Sequence, residues 1–592
     1  MTGTLTRPPP ARHTAQARHP SSGNRIRGPT GRVSTVRRRN AWLIIVTLLG
    51  LGVLAGRLVQ IQVLDRAAWA ELGDSQSVAA RDLPASRGAI LDRDLGVLAL
   101  SDGRPTIWAD PRLVIDPAAT AAALASVLEI DQAVVEARLA SGRHFVYISR
   151  QVEPAQQEVV AEMQLPGIAS SDEMTRLLPN GRDFARGLLG SVDPDQLALS
   201  GLEMQFTDLL TGTEGHEIAE TSLGGITLPS GIALHESALP GDDVVLTIHT
   251  ETQFLTEQAL IAAVAGSSAK GASAVVMEVE SGEILAIAGV VRDPETGEVS
   301  VAGYNPAYVD AFEPGSVNKT FTIAAALEEG RIRPDQIFSV PPNYEFADKV
   351  FQEQYAAEPR ALSTGEILAI SSNIGTIQIA EAIGEDRLYQ YLIAFGFGST
   401  TGPDGTQAVP AETAGILHET PDWHGTALAT ISFGQGIAVS GVQLAAAYNT
   451  IANDGVYIAP SIHKGTVSSD GAFHPIPGSD RRRVLGAETA AIVRGMLGLV
   501  VTEGTGKLAA IDGYLAGGKT GTAQKPYTDR AGYSETAYTS TFAGMVPIDR
   551  PALTIVVTID EAEDYLAGRV AAPVFSEIAE YALRVLRVPP TN

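Results

Sequence analysis

Three short motifs contain side chains that can carry out acyl transfer. In the first, FEPGSVNK at residues 312–319, Ser316 and Lys319 are three residues apart at the start of a predicted helix and share one helix face. A serine hydroxyl is a weak nucleophile until a base removes its proton, and a lysine with a lowered pKa can be that base. Backbone N–H groups at the helix start favour developing negative charge. The motif predicts a nucleophilic serine.

The S-x-x-K spacing is weak evidence by itself, because it occurs three times among only seven lysines. Ser267 and Lys270 lie in a loop-like stretch before a predicted strand. Ser461 and Lys464 follow a proline in another non-helical stretch. Since only Ser316 begins a clear helical pattern, it is the predicted nucleophile.

The second motif is Ser371-Ser372-Asn373. A capping-box pattern, Ser363 to Glu366, predicts a short helix before it, and IGTIQIAEAIG predicts another helix after it. At such a junction Ser371 can relay a proton and Asn373 can hydrogen-bond a substrate amide. An ordinary polar turn is the alternative interpretation when this motif is considered alone.

The third motif is KTGT, Lys519–Thr522, after two glycines. Residues 513–520 also fit the phosphate-binding P-loop pattern, which requires a buried strand before the glycines and a helix that begins at the lysine. The preceding TEGTGKLAAID does not resemble a buried strand, and Gly521 and Pro526 oppose a helix. The segment therefore predicts a strand that borders a cleft, with Lys519 and Thr520 directed at an anionic group.

The elements around these motifs predict a layered domain. Ser273–Val291 is typical of two strands around a turn, Thr539–Val546 and Ala552–Ile559 are typical of a hairpin, and Pro573–Leu586 has the pattern of an amphipathic helix. Strands at both ends with helices between them indicate one antiparallel sheet with helices packed on it, an α/β or α+β arrangement. Residues 66–245 alternate short strand-like and helical patches and predict a folding or interaction module.

Composition excludes several classes of site. The 592 residues contain no cysteine, so disulfides, cysteine nucleophiles and Cys-ligated zinc are absent, and 45% hydrophobic residues allow sizeable cores. No H-E-x-x-H or G-x-S-x-G motif occurs, and we expect neither a metal nor a cofactor. The net charge of −25 argues against a nucleic-acid partner.

The N-terminal region has the pattern of a membrane anchor. Residues 1–40 contain nine arginines and no acidic residue, and we expect this basic tail to be disordered. Residues 41–63 predict an uncleaved transmembrane helix of about 34 Å, enough to cross a hydrocarbon core of about 30 Å. A secretory signal peptide is the alternative, but no small-residue cleavage site follows. Arginines 37–39 predict a cytoplasmic N-terminus and an extracytoplasmic remainder.

The order S-x-x-K, S-x-N, K-T-G resembles that of the penicillin-recognising serine enzymes, here with gaps of 55 and 148 residues. The resemblance covers about 500 residues and is to class B penicillin-binding proteins, as shown by RGAILDR, FVYISRQV, GLE and VAAPVFSEIAEYAL; Arg176–Pro179 matches the family's RxYP sequence only loosely. FEPGSVNK, TISFGQG and KTGTAQK are most similar to the division-specific FtsI type. The arginine-rich, lysine-poor composition suggests an actinobacterial version.

The resemblance implies a fold and four regions. It implies a penicillin-binding transpeptidase domain, an antiparallel sheet with helices on both sides, at residues 246–592. A mixed α+β pedestal or dimerisation-type domain is expected at 64–245, after the tail at 1–40 and the membrane helix at 41–63. The expected location is the cytoplasmic membrane of a bacterium, in a single pass with the catalytic domain outside.

The resemblance also implies the site. Ser316 would attack the penultimate D-Ala carbonyl of a peptidoglycan stem peptide and Lys319 would take its proton. The backbone N–H groups of Ser316 and Thr522 would form the oxyanion hole. The remaining implied catalytic residues are Ser371, Asn373 and Lys519, and the implied substrate-binding residues are Thr520, Gly521 and Thr522.

The implied activity is a septal D,D-transpeptidase that β-lactams acylate. The implied partners are stem peptides ending in D-Ala-D-Ala, an FtsW-like glycan polymerase and other membrane proteins of the division machinery. Three alternatives remain from the sequence: an elongation or sporulation paralogue, a D,D-carboxypeptidase or β-lactamase on the same fold, and a non-catalytic scaffold of the division machinery.

Overall fold

The computed structural model describes residues 33–66, 78–220, 234–353, 357–527 and 529–591. Residues 1–32 of the expected disordered tail lie outside the described residues. The first helix, α1, spans Val33–Val59 and is followed by a π-helical segment at Gln60–Leu64. The helix includes residues 33–40, where a disordered tail was expected. These residues contain no proline or glycine that would interrupt a helix. Among the described helices, Arg37–Leu64 is long and apolar enough to cross a membrane, with a mean hydropathy of 2.2.

The remaining elements are bounded as follows. The further α-helices, α2 to α18, are Pro117–Leu128, Gln132–Leu139, Pro154–Glu162, Arg186–Leu189, Gly201–Gln205, Thr207–Leu210, Thr250–Ser267, Pro306–Val309, Lys319–Glu328, Thr364–Ala369, Asn373–Ile383, Glu385–Ala394, Ala427–Ser432, Gly441–Ala452, Ala487–Thr502, Ala567–Val570 and Ala572–Val585. The strands β1 to β24 are Val78–Leu83, Ile90–Leu91, Val97–Ala109, Val146–Ser149, Ile168–Leu177, Ser191–Val192, Ala198–Ser200, Gly215–Glu220, Leu234–Glu236, Asp243–Leu246, Gly271–Glu278, Ile284–Arg292, Val299–Val301, Ile337–Val340, Asn343–Phe346, Lys349–Gln352, Arg360–Ser363, Val456–Ile458, His463–Val467, Phe473–Pro475, Arg481–Arg483, Gly517–Pro526, Tyr533–Val546 and Leu553–Asp560.

The C-terminal region is built on one antiparallel sheet, as predicted. Its six strands lie in the order β13-β12-β11-β24-β23-β22, so strands from both ends of the region meet at its centre. Val275 is paired with Ile287 on one side and with Val556 on the other. Strand β22, which contains the KTGT motif, is the terminal strand of this sheet and is paired only with β23 among the described strands.

Both faces of this sheet are covered by helices. Alternate residues of a strand point to opposite faces, so β11 and β24 have apolar side chains on both faces, interrupted by the buried Ser273, Thr554 and Thr558. Ala274 and Val276 pack in one core with helices α8 and α18. Val275 and Met277 pack in the other core, which also contains α10, α12 and α15. The predicted arrangement, a sheet with helices on both sides, is confirmed.

The N-terminal region contains a second, seven-stranded sheet in the order β20-β19-β10-β2-β3-β4, with β5 also paired to β3. Strands β19 and β20, at residues 463–475, come from the stretch expected to form only the C-terminal domain. Val244 of β10 pairs with Thr466 of β19 and, in parallel, with Ile90 of β2. The hairpin at 463–475 thus belongs to the sheet of the N-terminal region. The expected boundary at residue 245 assigned these residues to the C-terminal domain.

A buried ion network holds this first region together. The Glu203 carboxylate accepts from the Arg87 Nε at 2.5 Å and from the Arg176 Nε at 2.7 Å. All three side chains are at least 94% buried. Arg176 belongs to the segment that departs from the family's pattern, yet it still joins the RGAILDR and GLE segments. Removal of Glu203 would leave two buried guanidinium groups without their shared carboxylate.

The segment 184–189 is one of the places where the two regions meet. The Tyr308 hydroxyl of α9 donates to the Gly187 carbonyl at 2.9 Å. The backbone N–H of Ala185 donates to the Glu257 carboxylate of α8 at 2.8 Å. A Cβ at Gly187 would lie 2.6 Å from the Tyr304 carbonyl carbon, so glycine is needed for this close approach. The first region is therefore fixed to the elements that precede Ser316.

Candidate active site

Ser316 lies in a tight turn rather than in the α-helix itself. Residues Gly315–Asn318 form a 3-10 turn, and helix α10 begins at Lys319. Residues three apart eclipse each other in a 3-10 turn, so the shared face predicted for Ser316 and Lys319 is retained. The Gly315 N–H donates to the Gly434 carbonyl at 2.9 Å. The TISFGQG segment thus supports the turn that presents Ser316.

Lys319 is fully buried, and its Nζ makes three hydrogen bonds. It donates to the Ser371 carbonyl at 2.6 Å, to the Ser371 Oγ at 3.2 Å and to the Asn373 Oδ1 at 2.6 Å. The first two predicted motifs, 55 residues apart in sequence, therefore meet at this ammonium group. The arrangement connects the candidate base directly to the candidate relay.

The Ser371–Asn373 turn has a constrained backbone. Ser371 has a φ of +64°, a left-handed conformation that is uncommon for a residue with a side chain and often marks a functional site. This conformation directs both its carbonyl and its hydroxyl to Lys319. The next residue, Ser372, is the N-cap of helix α12 and accepts from the Gly375 N–H at 3.0 Å. Asn373 is then the first residue of that helix.

The third motif reaches the same hydroxyl from the opposite side. The Lys519 Nζ lies 3.0 Å from the Ser371 Oγ and donates to the Thr520 carbonyl at 2.9 Å. Lys519 is also fully buried. Since this lysine lies inside strand β22 and not at the start of a helix, the P-loop interpretation is excluded. Two lysine ammonium groups thus converge on one serine hydroxyl.

Strand β22 lies against the turn that contains Ser316. A Cβ at Gly521 would be 2.6 Å from the Pro314 carbonyl oxygen, and a Cβ at Gly315 would be 3.4 Å from the Thr522 carbonyl carbon. The backbones of Ser316 and Thr522 are consequently neighbours, as an oxyanion hole made by their N–H groups requires.

The threonines of the KTGT motif face away from Gly521. Strand alternation places Thr520 and Thr522 on the face opposite Lys519 and Gly521. The Thr520 Oγ1 lies 2.6 Å from the Thr505 Oγ1 and 3.3 Å from the Lys519 Nζ, so the lysine head group meets the threonine at the strand edge. The Thr522 Oγ1 accepts from the Ala567 N–H at 3.3 Å.

The electrostatics suit proton transfer. Burial lowers the pKa of Lys319 to about 7, and the negative charge of Glu353 opposes that shift. Burial also lowers the pKa of Lys519 well below its ordinary value, and repulsion by Lys319 adds to this effect. Neutral lysine is a general base, and a pKa near the working pH favours proton transfer in both directions.

The other two S-x-x-K pairs make ordinary structural contacts. The Ser267 Oγ donates to the Ala263 carbonyl within helix α8, and Lys270 forms an ion pair with Glu561. Lys464 donates to the Arg93 carbonyl. Neither pair resembles the arrangement around Ser316, which supports the choice made from the helix pattern.

Sequence reasoning missed two residues beside the site. Glu353 accepts from the Ser372 Oγ at 2.6 Å, but it precedes that serine by 19 residues and lies in no motif. The buried Tyr448 hydroxyl donates to the Val317 carbonyl at 3.0 Å and lies 2.9 Å from the Thr320 Oγ1. Tyr448 lies among the buried residues of helix α15 and matches none of the three motifs, and neither does Glu353.

Comparison with known families assigns both regions. Residues 272–580, more than half of the chain, match the penicillin-binding protein transpeptidase domain. The chain belongs to the penicillin-binding proteins. Residues 82–246 match the penicillin-binding protein dimerisation domain, and this pair of domains, with the relatives named below, makes the chain a class B penicillin-binding protein of the FtsI type.

Curated relatives match this penicillin-binding protein along most of its length. Penicillin-binding protein PbpB of Mycobacterium tuberculosis is 30% identical, with 99% of this chain and 95% of the relative covered. Peptidoglycan D,D-transpeptidase FtsI of Escherichia coli is 32% identical, with 93% and 92% covered. Among solved structures, penicillin-binding protein 3 of M. tuberculosis in complex with aztreonam is 29% identical, with a TM-score of 0.67 and with 86% of this chain and 98% of that chain covered.

Proposed function

We propose that this class B penicillin-binding protein is a septal peptidoglycan D,D-transpeptidase whose nucleophile is Ser316. The observation that carries the proposal is the meeting of three separate segments at one hydroxyl, where the ammonium groups of Lys319 and Lys519 lie 3.2 and 3.0 Å from the Ser371 Oγ. The relatives named D,D-transpeptidase support the reaction, and the FtsI and PbpB names support the division role.

In the acylation step the Ser316 Oγ attacks the carbonyl carbon of the penultimate D-Ala of a stem peptide. The hydroxyl proton passes to the neutral Nζ of Lys319, and the N–H groups of Ser316 and Thr522 stabilise the resulting oxyanion. The tetrahedral intermediate then collapses and its C–N bond breaks. The leaving D-Ala nitrogen takes a proton through Ser371, which contacts both lysines.

The second step forms the cross-link. An amine of a neighbouring stem peptide attacks the acyl-enzyme ester and loses a proton to the same lysine–serine relay. Collapse of this intermediate breaks the ester C–O bond and returns the proton to the Ser316 Oγ. The overall exchange replaces one peptide bond with another, so no external energy source or cofactor is required.

The donor peptide is proposed to bind along strand β22. The Asn373 Oδ1 accepts from Lys319, which orients the amide so that its Nδ2 can donate to a peptide carbonyl of the donor. Thr520, Thr522 and Lys519 would hold the terminal carboxylate at the strand edge. Gly521 is needed for the close approach of the strand to the Ser316 turn.

The proposed topology places the catalytic region outside the cytoplasm. The apolar helix Arg37–Leu64 would be the anchor, with arginines 37–39 at its cytoplasmic end. An FtsW-like glycan polymerase and other membrane proteins of the division machinery would be its partners. Labelling of an N-terminal cysteine, in a chain that otherwise has none, tests the orientation.

A fluorescent penicillin tests the nucleophile. We expect the full-length protein in detergent to be labelled covalently, Ser316→Ala to lose the label, and Ser267→Ala to keep it. Absence of labelling in folded wild-type protein would favour a non-catalytic scaffold. Release of the acyl group by water faster than by an amine acceptor would indicate a carboxypeptidase or β-lactamase. Location of a fluorescent fusion on the sidewall instead of midcell would indicate an elongation role.

A further inference from the structure

We propose that Glu353 is a positioning residue that holds the Ser371–Asn373 turn against Lys319 and sets the pH range in which Lys319 can accept the proton of Ser316. The inference rests on the proposed function, because it concerns the base of that same reaction. It adds a carboxylate that belongs to none of the three motifs.

The first support is the contact of Glu353 with the turn. A single oxygen, Oε2, accepts from the Ser372 Oγ at 2.6 Å and from the Ile374 N–H at 3.1 Å. The carboxylate therefore lies at the N-terminus of helix α12, where negative charge is favoured and free N–H groups need acceptors. Ser372 is fully buried, so this bond is not exchanged for one to water.

The second support is the way the carboxylate is held. The Glu353 N–H donates to the Pro342 carbonyl at 2.9 Å, at the open end of the β15–β16 hairpin. Two residues earlier, in strand β16, the Phe351 ring packs edge-on against Phe433, with centroids 6.1 Å apart. Phe433 adjoins Gly434, which supports the Ser316 turn. The hairpin is thus fixed to the same loop as the nucleophile, and Glu353 has a defined position.

The third support is the charge balance around Lys319. Within the described part of the chain, two charged side chains act on this ammonium group: Lys519, which also contacts the Ser371 Oγ, and Glu353. The other groups in contact, Ser371 and Asn373, are uncharged. Lys349 of the hairpin is exposed and lies over the Phe351 ring. Glu353 therefore provides the negative charge that favours a proton on Lys319 against burial and against Lys519.

Glu353 thus has two effects that an experiment can separate. As an acceptor it fixes the first turn of α12 and with it Asn373, whose Oδ1 contacts Lys319. As an anion it favours the protonated form of Lys319, and loss of the charge should make Lys319 a free base at lower pH. Glu353→Gln removes the charge while its carbonyl oxygen can still accept both hydrogen bonds.

The test is the pH dependence of acylation by a fluorescent penicillin, measured from pH 5 to pH 9 on the full-length protein in detergent. In wild type we expect the rate to rise with pH along an acidic limb. In Glu353→Gln we expect this limb to move about one pH unit lower. The ratio of variant to wild-type rate should then be up to about tenfold higher at pH 5.5 than at pH 8.

The controls distinguish this effect from others. Glu381→Gln neutralises an exposed carboxylate on α12, the helix whose N-terminus Glu353 contacts. Among the described residues this carboxylate accepts from the Tyr344 hydroxyl, and the acidic limb of the variant should coincide with that of wild type. Glu353→Asp keeps the negative charge but places it farther from Lys319, because the side chain is shorter. Its acidic limb should move to lower pH by a smaller amount than that of Glu353→Gln. Thermal unfolding of each variant reports folding independently of the limb.

The inference is overturned if Glu353→Gln has the wild-type limb, or if Glu381→Gln moves it equally. Should Glu353→Gln fail to fold, Glu353→Asp decides, and an unmoved limb overturns the inference. The proposed function fails in a different way: wild type remains unlabelled, or Ser316→Ala is still labelled.

Discussion

At the scale of single residues, the site depends on two lysines that are kept from being fully charged. Lys319 and Lys519 are both fully buried and share the Ser371 hydroxyl. Burial penalises the charged form and lowers the pKa of both lysines, and repulsion by Lys319 adds to the effect on Lys519. Because the pKa of each lysine is lowered, we expect each ammonium group to release a proton and take it up again more readily than an exposed lysine does.

The pH dependence of wild-type acylation follows from the same burial. Because the pKa of Lys319 is lowered to about 7, the neutral base predominates above that pH and the protonated form below it. We expect the acylation rate constant to fall by about tenfold for each unit below pH 7 and to level off above it. Stopped-flow acylation with a penicillin measures this, and a limb near pH 10 would contradict the burial argument.

Removal of the shared hydroxyl should slow the reaction without unfolding the protein. In Ser371→Ala both lysines lose the hydroxyl that they share. General acid–base catalysis typically raises a reaction rate by about 10²–10⁴-fold. We expect a loss of that order in the acylation rate, with a largely unchanged melting temperature. Ser576→Ala, which removes an exposed hydroxyl bonded to the Ala510 carbonyl, is the matched control and should retain the wild-type rate.

At the scale of elements, the site requires the close approach of strand β22 to the Ser316 turn. Gly521 permits it, because a Cβ there would lie 2.6 Å from the Pro314 carbonyl oxygen and 3.0 Å from the Val317 Cγ1. A side chain would push the strand and the turn apart and so separate the Ser316 and Thr522 N–H groups.

Gly521→Ala should therefore be a catalytic variant more than a folding variant. Displacement of catalytic groups by about 1 Å can cost about 10²-fold, and we expect an acylation loss of that order. Gly495→Ala is the control: this glycine is exposed on helix α16 with no heavy atom within 4 Å of the added Cβ. Its rate should be unchanged and its stability equal or up to about 1 kcal/mol higher. Equal acylation rates for the two variants would contradict the proposed close approach.

The motifs and their helices were predictable, since each depends on local signals: a glycine break, a capping box, a turn and alternating apolar residues. The 3-10 turn at Gly315–Asn318 differs from the predicted helix start, because Gly315 is bonded to Gly434 of a distant segment. Glu353 and the hairpin at residues 463–475 were not predictable, because their partners are set only by the tertiary fold. Local spacing therefore indicates the reacting groups but not the residues that hold them.

At the scale of the whole molecule, the dimerisation-type region is bonded to a buried carboxylate of helix α8, which packs on the six-stranded sheet. Glu257 of α8 is 2% exposed and accepts from the Ala185 N–H and from the Gln253 Nε2, both at 2.8 Å. Burial raises its pKa to about 7 in spite of these donors, and Asp183 adds repulsion. The contact between the two regions thus contains a carboxyl group whose ionised form is destabilised by burial.

The sign of the resulting pH dependence follows from the two states of the chain. Between the unfolded pKa of 4.5 and the folded pKa of about 7 the folded protein binds more protons at Glu257 than the unfolded chain does. Stability is therefore full below pH 4.5, falls as the pH rises through this window, and levels off above about pH 7. A shift of this size corresponds to at most about 3 kcal/mol.

Glu257→Gln removes that penalty while it keeps a carbonyl oxygen to accept from Ala185. We expect the variant to have a higher urea midpoint than wild type at pH 8, and the difference to shrink toward zero at pH 5, where the wild-type carboxyl is largely protonated. Glu251→Gln, at an exposed position in the first turn of the same helix, should show no such pH-dependent difference. A constant difference between Glu257→Gln and wild type across the pH range would mean that packing, rather than ionisation, governs the junction. A difference that grows toward low pH would reverse the sign argued here.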